Sequence, residues 1–266
     1  MKLGFLYAGQ GSQHAGMGAD LYEAFSAFRA VYDHAEVDFD LKKVTFEDPD
    51  GIINQTRYTQ PCMVAFAAGM TAVLREKGII PEVAAGLSLG EYSALQAAGV
   101  FDSKTAVELV AFRGKAMAQA VQDRPCGMAA VLMLGREQLA ECCRQAGEAG
   151  VVEIANYNCP TQTAIAGESA AAAKAAELLS SKGGRAIKLN VSAAFHSALM
   201  QPAADEFYEA IKDVAFGKPS IPFYSNTLGK QMEDFSDMPG YLARHLKSPV
   251  YFVDELNALQ AAGAPA

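Results

Sequence analysis

The chain has 266 residues, 51% of them hydrophobic and 20% charged, enough for a large globular domain or a domain with a smaller one attached. A net charge of −8 speaks against general nucleic-acid binding, which needs a basic footprint. Five cysteines, an odd number without a CxxC spacing, point to a reducing cytoplasm.

In chain order, residues 3–8 read as a buried strand that stops at the turn-like Gly9-Gln10-Gly11. This opening apolar run is shorter than a secretory h-region of ~7–15 residues, so no targeting segment is expected. Helical spacing follows over residues 20–34 and 61–76, the latter ended by Gly78 and Pro81. Its apolar core, residues 61–74, falls short of the ~18 residues of a membrane span, and no membrane partner is expected. A short strand at 83–86, a helix at 89–98 and a strong helix at 103–121 come next, with Ser103 as the expected N-cap.

The texture then changes to strand 128–134, helix 136–146, strands 152–156 and 161–166, helix 169–181 and strand 185–191. That βαββαβ order matches a ferredoxin-like module. It reads as an insertion over residues 123–194 in a larger α/β unit made of residues 1–122 and 195–266. Helical segments and a strand at 221–225 complete the larger unit.

Four features carry candidate chemistry. Ser88, in Gly86-Leu87-Ser88-Leu89-Gly90, sits between a strand and a helix, the layout of a nucleophile elbow. There the Leu89 amide at the helix start is placed to donate to an oxyanion. A serine in a tight loop remains the plain alternative. Of four histidines, His14 lies in the glycine-rich turn, while His34 and His245 fall on polar-looking helices. His196, where the inserted module returns to the larger unit, is the candidate base for Ser88, against a partly buried helix cap. Arg113 falls in the middle of an apolar helix face with Ala106, Leu109, Val110, Met117 and Ala120. A guanidinium there wants an anion, either an internal carboxylate or a substrate. The loop from Gly9 fails the GxGxxG test at His14 and lacks a Lys-Ser/Thr pair, so a dinucleotide or Walker site is not expected. Its amides are candidates to complete an oxyanion hole with Leu89.

Six motifs run in order along nearly the whole chain: "GQGSQ", "TQP" at 59–61, "GLSLGEYSAL", "FRGKAM", "IANYNCP" and "FHSALMQPA". Together they resemble the malonyl-CoA:acyl carrier protein transacylases of bacterial fatty-acid synthesis. The resemblance implies an α/β-hydrolase-like large subdomain with a ferredoxin-like insertion. It implies a ping-pong reaction in which Ser88 takes malonyl from malonyl-CoA and passes it to the phosphopantetheine thiol of acyl carrier protein. His196 matches the family's base, and Gln10 and Leu89 match the oxyanion-hole amides. Arg113 matches the arginine that binds the malonyl carboxylate, and Gln60 and Asn158 match positions lining the family's substrate cleft. No metal or tightly bound cofactor is called for, and a monomer is expected. Since the resembled carrier proteins are acidic, Lys182, Arg185 and Lys188 are the candidate docking charges.

Three departures accompany the resemblance. Leu87 stands where the family usually has histidine. Tyr251 stands where many members have glutamine or arginine, at a position whose backbone carbonyl orients the base. Relatives also continue past the position of Ala266 through another strand. The competing readings are an acyl hydrolase, a trans-acting acyltransferase of a polyketide pathway, and a noncatalytic carrier-protein-binding module.

Overall fold

The computed structural model describes residues 2–189, 191 and 193–264, an α/β chain that divides into two compact units. The first comprises Met1–Lys115, Asp213–Ser236 and Asn257–Ala266. The second comprises Ala116–Lys212 and Asp237–Leu256.

In the first unit, β1 (Gly4–Tyr7) pairs in parallel with β2 (Val83–Gly86), and Phe223 bridges to Ala84, also in parallel. Every residue of β2 is buried, as expected of a short all-apolar strand covered on both faces. The expected helix over 20–34 is two helices, Ala19–Ala24 and Ser26–His34, broken at Phe25, whose backbone is extended at φ −125°. Arg29 stabilises the break, with Nε and Nη2 donating to the carbonyls of Tyr22 and Glu23 at the end of the first helix. Helix Thr56–Glu76 begins five residues before the expected start and carries Pro61 inside it. A short helix, Leu41–Phe46, has no counterpart among the expected elements, although its N-cap Asp40 accepts from Lys43 N at 3.0 Å. Helix Ser103–Gln119 begins where expected, but Asp102 supplies the cap, its Oδ1 accepting from Thr105 N at 2.7 Å. The division between the two units falls within this helix.

In the second unit, β3 (Cys126–Leu132), β4 (Val152–Cys159), β5 (Gln162–Glu168) and β6 (Arg185–Lys188) form an antiparallel sheet in the order β4-β5-β3-β6. Helices Arg136–Ala146 and Ser169–Ser181 match the expected bounds, and β4 runs three residues beyond them. The strand expected over 185–191 ends at Lys188, and Asn190 lies outside the described residues. The core joins Leu139, Cys142, Cys143 and Ala146 of one helix to Ala171, Ala175 and Leu179 of the other, over Val131, Val152 and Ile165 of the sheet. Spacing of three and four residues puts each helix's contributors on one face. Residues 237–256 join the same unit because Val250 continues the hydrogen bonding of β4. Val250 N donates to Ala155 O, and Val250 O accepts from Tyr157 N, both at 2.8 Å.

In the first unit, a two-residue strand, β7 (Tyr224–Ser225), pairs with β8 (Lys230–Gln231), shorter than the expected strand over 221–225. All five cysteines are free. No helix among the described residues is long and apolar enough to cross a membrane.

Candidate active site

Ser88 sits between β2 and helix Gly90–Ala97 with φ at +52°, a left-handed conformation that is strained for any residue carrying a Cβ. The flanking glycines have a steric cause. A Cβ on Gly86 would lie 2.2 Å from the Gly90 carbonyl carbon, and one on Gly90 would lie 2.2 Å from Tyr7 O. Strand β1, strand β2 and the helix start therefore meet backbone to backbone. Leu87 N donates to Tyr7 O at 3.0 Å across the same junction, which brings the Ala8-Gly9-Gln10 turn to the elbow. Leu89 is buried at the helix N-terminus, where free amides point outward along the helix axis. Gln10 holds its side chain by Nε2 donating to Thr56 Oγ1 at 3.1 Å.

A buried polar cluster lies under this turn. Ser88 N donates to Asn226 Oδ1, and Asn226 Nδ2 donates to Gly86 O, both at 2.6 Å. Asn226 N donates to Glu91 Oε2 at 2.7 Å, and both Asn226 and Glu91 are fully buried.

Arg113 is 1% exposed, on the buried face of its helix with Ala106, Leu109 and Val110, as the spacing predicts. Its Nη1 donates to Gln60 Oε1 at 2.8 Å, and its guanidinium carbon stands 5.1 Å from the centre of the Tyr92 ring. Among the described residues, no carboxylate forms an ion pair with it, and its Nε and Nη2 have no hydrogen-bond partner. Burial pushes its pKa below the usual arginine value, while Tyr92 and Glu91 act in the opposite direction. A guanidinium remains charged under such a shift, so Nε and Nη2 are left to donate to an anion. Among the described residues Glu91 is the internal carboxylate that acts on Arg113, through its charge and without an ion pair.

In the second unit His196 is 2% exposed and also left-handed, with φ at +57°. Its backbone N donates to Leu246 O, and its Nδ1 lies 3.1 Å from His245 O and 3.2 Å from Ser248 O. Both neighbours of Nδ1 are pure acceptors, so Nδ1 carries a proton, and in the neutral ring the lone pair falls on Nε2. That is the tautomer of a general base. The orienting carbonyls belong to His245 and Ser248, a correction to the expectation at Tyr251. Tyr251 instead stacks its ring on Tyr157 at 5.2 Å. His245 is also fully buried rather than on a polar helix face, with its ring 5.3 Å from that of His196.

A family model described as the acyl transferase domain matches residues 4–266. This chain belongs to the acyltransferase family. The malonyl CoA-acyl carrier protein transacylase of Bacillus subtilis (strain 168) is 38% identical over 266 residues, 98% of this chain and 84% of that protein. A malonyl CoA-acyl carrier protein transacylase structure from Clostridium perfringens matches with a TM-score of 0.95 at 36% identity, covering 99% of this chain and 84% of the other. A type II PKS acyl-carrier protein in complex with its malonyl-transacylase matches with a TM-score of 0.94 at 34% identity, over 99% of this chain and 87% of the other.

Two further expected residues of the acyltransferase are placed as follows. Asn158 lies on β4 and donates from Nδ2 to Gln162 Oε1 at 3.1 Å. Leu87, half-buried, forms part of the turn, its carbonyl accepting from Gly90 N. Sequence reasoning missed Glu91, Tyr92 and Asn226. The first two directly follow the elbow in the "GLSLGEYSAL" motif, and a carboxylate and a tyrosine among small residues are the available signal. Asn226 is 138 residues from Ser88, and nothing local to it points there.

Proposed function

We propose that this acyltransferase moves a malonyl group from malonyl-CoA to the phosphopantetheine thiol of acyl carrier protein through a malonyl ester of Ser88. His196 Nε2 takes the Ser88 hydroxyl proton as Oγ attacks the thioester carbon. The amides of Gln10 and Leu89 receive the developing oxyanion. Collapse expels the CoA thiolate, which takes the proton back from His196. In the second half the carrier thiol gives its proton to His196 and attacks the ester, and Ser88 leaves with that proton. Arg113 holds the malonyl carboxylate in both halves by a charge-assisted fork, with Gln60 fixing the guanidinium and Asn158 binding further along the substrate. In this reading an α/β-hydrolase-like subdomain of residues 1–122 and 195–266 carries a ferredoxin-like insertion over 123–194. The strand order β4-β5-β3-β6 supports the latter.

One observation carries the substrate assignment, the buried Arg113 with two unbonded donors and no ion-pair carboxylate among the described residues. An acyl chain without a charge leaves those two donors without an anion, which disfavours a hydrolase of neutral acyl groups. Mass spectrometry after brief incubation with malonyl-CoA tests the proposal. A malonyl adduct on Ser88 that persists until carrier protein is added supports it. Rapid loss of the adduct to water makes the protein a hydrolase, and no adduct leaves only a binding role.

A further inference from the structure

We propose that Asn226 is a positioning residue for the nucleophile, an amide clamp that holds Ser88 in its strained turn and takes up the serine's own N–H. The inference rests on Ser88 being the nucleophile. Its geometric basis is that one side chain ties both ends of the turn. Oδ1 accepts from Ser88 N, Nδ2 donates to Gly86 O, and the backbone N is anchored on the Glu91 carboxylate. The side chain fits in one orientation only, because its oxygen must face an N–H and its nitrogen a carbonyl. The Asn226 and Glu91 side chains are out of water, both 0% exposed, while Ser88 is half-buried.

Two consequences follow for the reaction. A serine at φ +52° relaxes toward ordinary backbone angles unless its neighbours over-determine it, and the clamp fixes the residues on either side of Leu87. With the Ser88 amide committed to Asn226, the oxyanion is left to the amides that follow and flank the elbow, those of Leu89 and Gln10. Glu91, in the first turn of the helix that starts at Gly90, makes the clamp part of the same rigid element as the nucleophile.

The test is the rate at which a serine-reactive fluorophosphonate labels Ser88 in the full chain, measured beside malonyl-CoA acylation. Asn226→Ala should slow labelling by about 10²-fold, the scale of an ångström-level misplacement, while KM for malonyl-CoA is unchanged. Asn226→Asp gives a signature that loss of packing cannot. Its neutral carboxyl copies the amide, with one O–H donor and one acceptor, whereas the ionised form loses the donor and adds a charge beside Glu91. Burial and Glu91 both raise the carboxyl's pKa, so the functional form is the one present at low pH. The rate of Asn226→Asp relative to wild type should therefore climb as pH falls, the ratio removing pH effects common to both proteins. A folded Asn226→Ala labelled as fast as wild type overturns the clamp, and so does a pH-independent ratio for Asn226→Asp. If Asn226→Ala does not fold, the ratio alone decides. Wild type that is not labelled at Ser88 removes the nucleophile and the clamp together. Labelled wild type without a malonyl adduct removes the substrate assignment and leaves the clamp standing.

Discussion

Each of the two units carries one of the side chains proposed for the reaction, and each presents it from a residue with positive φ, Ser88 at 52° and His196 at 57°. They stabilise that strain differently. Around Ser88 the backbone is crowded by glycine contacts and braced by the side chain of Asn226. Around His196 the holding groups are backbone atoms, with Leu246 O on the main chain and His245 O and Ser248 O on the ring. The contrast follows from the chemistry. A residue in the proposed nucleophile's place needs its backbone fixed, so the bracing comes at the main chain from a side chain. A base needs a defined tautomer, and carbonyl oxygens specify one without ionising themselves.

The largest break in this comparison is Ser88→Ala. It should abolish the malonyl adduct while the melting curve stays near wild type, because one oxygen leaves a turn held by other groups. Acylation at the wild-type rate would place the nucleophile elsewhere. On the other side, His196→Ala should slow acylation by about 10²–10⁴-fold, the usual contribution of a positioned general base. Stopped-flow release of CoA near neutral pH measures it, and an unchanged rate would leave His196 without a role.

How much of this the sequence shows differs between the units for a physical reason. The second unit's helices Arg136–Ala146 and Ser169–Ser181 are legible to the residue, because their buried positions repeat at three and four and turns bound them. In the first unit, Arg113 and the elbow are legible as violations of local pattern, a cation on an apolar face and a serine between glycines. The resemblance adds the roles of Gln10, Gln60 and Asn158. Contacts of long sequence separation stay hidden. Asn226, and the carbonyls of His245 and Ser248 that orient a histidine about fifty residues earlier, have no local signature. The break at Phe25 is hidden too, since Arg29 offsets it from beyond the break.

Arg113→Ala sharpens the comparison within the first unit. If the substrate carboxylate is its partner, malonyl loading should fall by roughly 2–5 kcal/mol in transition-state terms, the cost of truncating one side of a buried charged pair. Acetyl-CoA should lose little or gain, since it no longer meets an unpaired guanidinium. Rates with both donors, beside a melting curve, decide the matter. Equal losses with a marked fall in melting temperature would make the arginine structural.

The smallest expected effect belongs to the second unit alone. Edge strand β6 and the end of the helix before it expose Lys182, Arg185 and Lys188, with Ile187 40% exposed among them. Opposite Arg185 and Lys188 in the sheet stand Leu132 and Ala129, so β3 offers no acid to neutralise them at those positions. On a chain of net charge −8, a local basic edge is what an acidic carrier protein requires for productive encounter. Reversing Arg185 and Lys188 to glutamate should slow transfer to carrier protein by on the order of tenfold, through the association rate. Added salt should slow the wild type in the same way, because exposed charges are screened over about 8–10 Å at moderate ionic strength. Acylation from malonyl-CoA should be untouched, which separates the two halves of the reaction. Transfer indifferent to both salt and the reversals would move the docking face off β6, and a parallel loss of acylation would mean the substitutions disturb the sheet instead.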